Sequence, residues 1–388
     1  MYVPVRLTRR SVLGSAALGG LGLTVAACGA ASTTSELPSG APTTDPEAER
    51  VVRFSNWPAY IDQAEGDEPT TLDDFRASSG IEVVYTEDIN DGSEFLAKVQ
   101  SPLEQGRDID RDIVVLSEET AQQFIERGFV APLDYALIPN AVNLLPRLAA
   151  ASFDPDRRFT LPWQSGFTGM GWNTALLQER MGVDRLDSLD QFFDPRLAGR
   201  VSVLSETMDT MGLMLAWAAF DPSSFTDEEF DSTLLLLQQQ VDSGQIRQVT
   251  GNDYIGGLDS GDLIAVFGWS GDVLALGEGY GFGLPESGGL VWADSMLIPV
   301  VSPNQASAAS LMNFYYDPSV AARLAAWIQY VCPVQGAQEA MLDVDPELVE
   351  DPWIFPPDEV LDACYVTQAL SSERTGLLDR AFDRVVST

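Results

Sequence analysis

Histidine is absent from the 388 residues, and Lys98 is the only lysine. Without histidine there is no Ser-His-Asp or Cys-His catalytic device, no histidine zinc site and no ordinary proton shuttle at neutral pH. Positive charge is scarce: 22 basic side chains face 58 acidic ones, a formal net charge of −36. Phosphate neutralisation needs a basic surface, so nucleic-acid binding is excluded. Cysteine is rare, with only Cys28, Cys332 and Cys364. The N-terminal apolar run from Val12 to Ala27, sixteen residues, is short for a membrane span. What remains is carboxylate chemistry and plain binding.

The chain is 45% apolar and 21% charged, which fits a soluble globular protein of two domains or lobes. Eight Trp, ten Tyr and eighteen Phe give scope for aromatic recognition. Residues 1–28 read as an export signal, with Arg6, Arg9 and Arg10 before the apolar run. Thr8 to Leu13 resembles a twin-arginine signal, and Val25-Ala26-Ala27-Cys28 resembles a bacterial lipobox whose Cys28 is acylated. Residues 29–49, rich in Ser, Thr, Pro, Gly and Ala, read as a flexible tether. A lipid-bearing Cys28 would hold the folded body at the outer face of the cell membrane. Cys332 and Cys364 are then an even pair in an exported protein, open to a disulfide or to two buried thiols.

Strand-like runs alternate with helix-like segments, so the fold class is α/β. Val51 to Ser55, Ile81 to Tyr85 and Asp112 to Leu116 read as strands of a first sheet. Gly169 to Asn173 and Val201 to Leu204 read as strands of another. Leu263 to Phe267 is a continuous apolar run, as in a strand buried on both faces. Thr71 to Ser79 reads as a helix stopped by Gly80, and Ser93 to Gln105 as an amphipathic one. Thr226-Asp227-Glu228-Glu229 is a capping box. Asp317-Pro318 starts a helix whose face is expected at Val320, Leu324, Trp327, Ile328 and Val331.

Aromatics and acids gather at strand ends, where open α/β sheets hold ligands. Asn56-Trp57-Pro58-Ala59-Tyr60 follows the first strand. Phe267-Gly268-Trp269-Ser270-Gly271-Asp272 follows a buried one. In Leu290-Val291-Trp292-Ala293-Asp294-Ser295, extended backbone puts Trp292 and Asp294 on one face. An indole beside a carboxylate suits an organic ammonium ion: the acid takes charged hydrogen bonds and the ring takes the cation and its methylenes.

These segments, in this order behind a lipoprotein-like signal, resemble the bacterial spermidine/putrescine-binding protein family, extracytoplasmic receptors of polyamine ABC importers. The Val114 to Ser117 strand end, Leu161-Pro162-Trp163 and the Asn313 to Val320 segment also carry the likeness, which spans residues 51 to about 340. It implies a two-lobe periplasmic-binding-protein fold of type II with the ligand cleft between lobes. Lobe 1 would be 50–163 with 294–345, lobe 2 would be 164–293, and 346–388 would pack on both. It implies aromatic walls at Trp57, Tyr60, Trp269 and Trp292, with Asp294 as principal ammonium acceptor and Ser117 lining the first lobe. The partners implied are a polyamine and ABC permease subunits, for a monomer without cofactor or metal. Where the family has two acids, Thr207 and Thr210 stand here, with Glu206 and Asp209 one residue out of step. Glu206 is the expected acid. Glu119 replaces a family aromatic and could supply a further carboxylate or face solvent. A family tyrosine falls near Cys332, close to Tyr330, and is left unassigned. Two other readings stay open: a ferric-iron receptor using Tyr315 and Tyr316, and a secreted carboxylate-based hydrolase.

Overall fold

A computed structural model describes residues 50–64, 69–367 and 370–387. The expected signal, Cys28 and the tether lie outside these residues. Ten strands form one sheet rather than two. They are β1 Val51–Asn56, β2 Glu82–Glu87, β3 Ile113–Leu116, β4 Thr160–Asn173 and β5 Val201–Leu204. Then come β6 Ile246–Thr250, β7 Ala265–Trp269, β8 Tyr280–Gly283, β9 Gly289–Leu297 and β10 Cys364–Tyr365. The main order is β2-β1-β3-β9-β4-β7-β5-β6.

Two parallel sets stand at the ends of this order: β2-β1-β3, and β7-β5-β6. Between them β4 and β9 run antiparallel to each other and to their outer neighbours. The middle pair is long: Thr160–Thr168 pairs with Leu290–Leu297, and β4 continues to pair β7 from Thr168 to Trp172. Each parallel set with its helices makes one lobe, and the crossing pair belongs to both. The expected second sheet is thus the far end of the same one. All of β7 is buried and so is β4 up to Trp172, which is why neither shows polar alternation.

Local signals read in the sequence hold in detail. Helix Thr71–Ser79 ends at Gly80, whose φ of 66° is the left-handed conformation glycine adopts freely. Helix Asp227–Asp242 starts with a formed capping box: Thr226 N donates to Glu229 Oε2 at 2.7 Å, and Glu229 N to Thr226 Oγ1 at 3.3 Å. Asp317 caps helix Pro318–Ile328 by accepting from Ser319 N at 2.9 Å. Its buried face differs from the expected one. Ala321, Ala322 and Ala325 join Leu324 and Ile328 inside, while Trp327 is exposed. Small residues let the helix approach its neighbours closely, and the bulky indole has no room there.

Of the two readings of Cys332 and Cys364, the bridge is not formed: both are free thiols. Cys332 is buried on a segment whose N–H bonds Ile354 O, whereas Cys364 sits on β10 against Gly289 and donates to Val360 O. Two different backbone ladders hold them apart in role, and burial pushes each thiol up to about 12.

Candidate ligand-binding cleft

Five parallel strands point their carboxyl ends at one cleft, as expected for ligand sites of open α/β sheets. β1 delivers Trp57, Pro58 and Tyr60; β3 delivers Ser117 and Glu118; β5 delivers Glu206 and Asp209; β6 delivers Asn252; β7 delivers Trp269 and Asp272. β9 crosses beneath with Trp292, Ala293 and Asp294, and Tyr330 closes one side. The space amounts to about 530 Å³ including its opening to solvent. That is within the usual size of small-molecule sites.

Each group is held from behind. In the loop after β1, Trp57 N donates to Asn56 Oδ1 at 2.9 Å and Trp163 Nε1 to Tyr60 O at 3.3 Å. Ala59 adopts φ 57° there, a conformation tolerated because Ala59 N donates to Glu87 Oε1 at 3.1 Å. Trp292 lies across Gly166 of β4, its register partner; a Cβ on Gly166 would meet the indole at 2.6 Å. Trp269 Nε1 donates to Asp209 Oδ1 at 3.1 Å. Asp272 accepts from Tyr330 OH at 2.9 Å, Tyr254 OH at 3.0 Å and Asn252 Nδ2 at 2.9 Å.

The lobes touch across the cleft. Trp57 and Trp269 meet edge to face, ring centroids 6.4 Å apart. Gly92 N donates to Glu206 Oε1 at 3.2 Å, reaching from the helix after β2 to the one after β5. Tyr330 sits between Tyr60 and Trp292, edge to face with the first and tilted to the second, with ring centroids 5.1 and 5.6 Å away.

Five carboxylates, Glu118, Glu206, Asp209, Asp272 and Asp294, line this space, and no Arg or Lys is among the lining residues. Burial pushes Asp294 up to about 7, helped by Asp209, Glu118 and Asp272. The Tyr60 hydroxyl, which faces Asp294, pulls it the other way and is outweighed by burial. Burial lifts Asp272 to about 6, against the pull of its three donors. Burial also raises Glu206, Asp209 and Glu118. The nearest cation to Glu118 is Arg157, whose Nη2 stands 3.9 Å from Oε1.

Of the residues expected from sequence, Trp57, Tyr60, Ser117, Glu206, Trp269, Trp292 and Asp294 come together here. Glu119 does not. It lines a separate pocket with Gln122, Met208 and Thr375. Helix Glu118–Glu126 begins there, and one residue turns the side chain by about 100°. Its neighbour Glu118 lines that pocket too, but also reaches the cleft. Asp209, one residue out of step in the sequence, also lines the cleft. Thr210 turns away and donates to Leu204 O at 2.7 Å. Asn252 lies outside the expected set, and Tyr330 is the residue left unassigned beside Cys332; both line the cleft. Tyr315 and Tyr316 are buried and their hydroxyls donate to Trp163 O and Pro162 O, which leaves no phenolate pair for iron. No His, Cys, Asp and Glu group suited to a metal ion occurs among the described residues.

A sequence model of bacterial extracellular solute-binding proteins matches residues 70–356. The chain belongs to this family. It is 26% identical over 358 residues to the putrescine-binding periplasmic protein PotF of Escherichia coli (strain K12), covering 87% of this chain and 92% of that one. It is 22% identical over 312 residues to the spermidine/putrescine-binding periplasmic protein of the same organism, covering 79% and 84%. Among solved structures, the spermidine/putrescine ABC transporter substrate-binding protein PotD from Streptococcus pneumoniae superposes with a TM-score of 0.69 at 24% identity. That match covers 86% of this chain and 98% of the other, and the family member here shares its two-lobe fold. No described helix is long and apolar enough to cross a membrane.

Proposed function

We propose that this solute-binding protein captures a polyamine and passes it to the permease subunits of an ABC importer. The observation that carries this reading is the cleft itself: five carboxylates and five aromatic residues line it, with no basic side chain among the lining residues. A buried anion without a partner is costly, so such a cleft is completed by a cationic guest. Indole and phenol rings flank the acids and suit the methylenes and ammonium groups of a flexible amine. The polyamine-binding relatives support the same choice. The lobes, 50–163 with 294–345 and 164–293, close over the guest, with 346–388 packed on both. The protein acts as a monomeric receptor, not an enzyme, held by lipidated Cys28 to the outer face of the cell membrane after twin-arginine export.

A thermal-shift and calorimetric screen of the mature domain tests this. Putrescine, spermidine and spermine are compared with neutral amino acids and ferric citrate. A polyamine alone should raise the melting temperature by mass action. A shift with amino acids or ferric citrate and none with any polyamine refutes the reading.

A further inference from the structure

We propose that Asn252 touches the guest, its Oδ1 joining Asp272 as an acceptor pair for a hydrogen-bearing ammonium. The inference rests on the polyamine reading and names an atom that reads one amine.

Asn252 follows β6 by two residues, in a loop the opposite lobe braces. Gly251 packs so closely on Asn90 O that a Cβ there would lie 2.7 Å from it. Asn252 Nδ2 donates to Asp272 Oδ2 at 2.9 Å. That bond fixes the amide orientation, because the flipped amide would set two acceptors against each other. Oδ1 therefore points away from Asp272. It is buried, has no partner among the described residues, and belongs to a side chain lining the cleft. Asp272 already takes three donors, from Asn252, Tyr254 and Tyr330. A carboxylate offers about four lone-pair sites, so Asp272 has room for about one more. A primary ammonium brings three N–H groups, and Asn252 Oδ1 supplies the second acceptor. A quaternary ammonium brings none and would leave Oδ1 unpaired, so the pole selects against quaternary, fully N-methylated guests.

The test is calorimetry of the mature protein with putrescine. It uses wild type, Asn252→Ala and Asn252→Asp, with folding checked by thermal melts. Asn252→Ala should weaken binding about ten- to a hundredfold, as for loss of a hydrogen bond to a charged group. Asn252→Asp should stay within about threefold of wild type, because two adjacent carboxyls share a proton and keep an acceptor towards the cleft. A residue that only held Asp272 would also be rescued by the shared proton in Asn252→Asp, so the position of the guest nitrogen in a crystal structure of the wild-type complex separates contact from positioning. Binding by Asn252→Ala as tight as wild type, or by Asn252→Asp as weak as Asn252→Ala, overturns the inference alone. Wild type that binds neither putrescine nor spermidine overturns it together with the polyamine reading. Should the variants not fold, a crystal structure of the wild-type complex decides. A guest nitrogen within about 3.2 Å of Oδ1 is expected, and all nitrogens beyond about 4 Å refute contact.

Discussion

Two regions of the molecule crowd carboxylates at the sheet, and they resolve the crowding in opposite ways. Beside β1 and β3, Arg53 bonds Asp108, Asp110 and Asp112 at 2.8, 3.0 and 2.8 Å. Asp112 is fully buried there and also accepts from Ser302 at 2.6 Å and Asn304 at 3.2 Å. Burial would raise it, but Arg53 and these donors outweigh burial and hold it below its ordinary value. In the cleft Asp294 is as sheltered, at 8% exposed, yet it is pushed up to about 7. The chain pairs buried Asp112 with its own cation and puts no Arg or Lys among the residues lining the cleft. Acid counts alone do not separate the two; the placement of scarce arginine does.

The largest expected effect lies at the self-paired region. Arg53→Met strands buried Asp112 and should cost about 3–5 kcal/mol of stability, as when one partner of a buried pair is removed. Urea unfolding measures this, while putrescine affinity of the protein that remains folded should be unchanged. A stability loss below about 1 kcal/mol would show that Ser302 and Asn304 suffice, and the comparison would break.

Asp294→Asn is the mirror case. It should weaken polyamine binding by about 2–4 kcal/mol, or 30- to 1,000-fold, by calorimetry. It should also stabilise the ligand-free protein, because an isosteric neutral group replaces a disfavoured charge. Loss of stability together with unchanged affinity would make Asp294 structural like Asp112.

The strand-end logic was legible in the sequence because it is local. Apolar runs, caps and the Trp292–Asp294 spacing depend on neighbours along the chain, so strands, helix starts and seven of the cleft residues could be placed. The rest depended on rotation or on distance. Glu118 and Glu119 differ by one residue at a helix start, and only the helix phase tells which faces inward. Asn252 and Tyr330 meet Asp272 through tertiary contacts that no spacing encodes. The even cysteine pair suggested a bridge, but β10 takes Cys364 to Gly289 while Cys332 is tied to Ile354. One sheet was read as two because only the last residues of β4, Gly169 to Asn173, read as a strand, so its long pairing with β9 from Thr160 to Thr168 stayed hidden.

Acidity gives a third contrast. Asp294 and Asp272, at about 7 and 6, lie above their ordinary value of 3.8. Between those limits the native protein holds protons that the unfolded chain has released. The stability these two groups contribute is full below about pH 4 and is lost as pH rises through about 6 to 7. A cationic guest binds the ionised forms. The rise in melting temperature caused by putrescine should therefore grow between about pH 5 and 8, and binding near pH 6.5 should release protons. Calorimetry in buffers of differing ionisation enthalpy counts them. Asp112, held low by Arg53, predicts the opposite slope: its contribution is present above about pH 4 and fades on acidification. A ligand-induced shift independent of pH would remove the distinction between the two regions.

The smallest effect is expected one residue outside the cleft, and it is the most discriminating. Burial raises Glu119 to about 8, with Asp379, Asp209 and Asp91 adding to it. It is then largely protonated at neutral pH, and glutamine copies that form in shape and charge. Glu119→Gln should change putrescine affinity by less than about threefold, whereas Glu118→Gln removes an acid facing the guest and should cost about tenfold. Glu118 keeps Arg157 near it, at 3.9 Å, so its loss should fall short of that at Asp294. Equal effects from the two neighbours would mean that bulk negative potential, not facing geometry, recruits the cation.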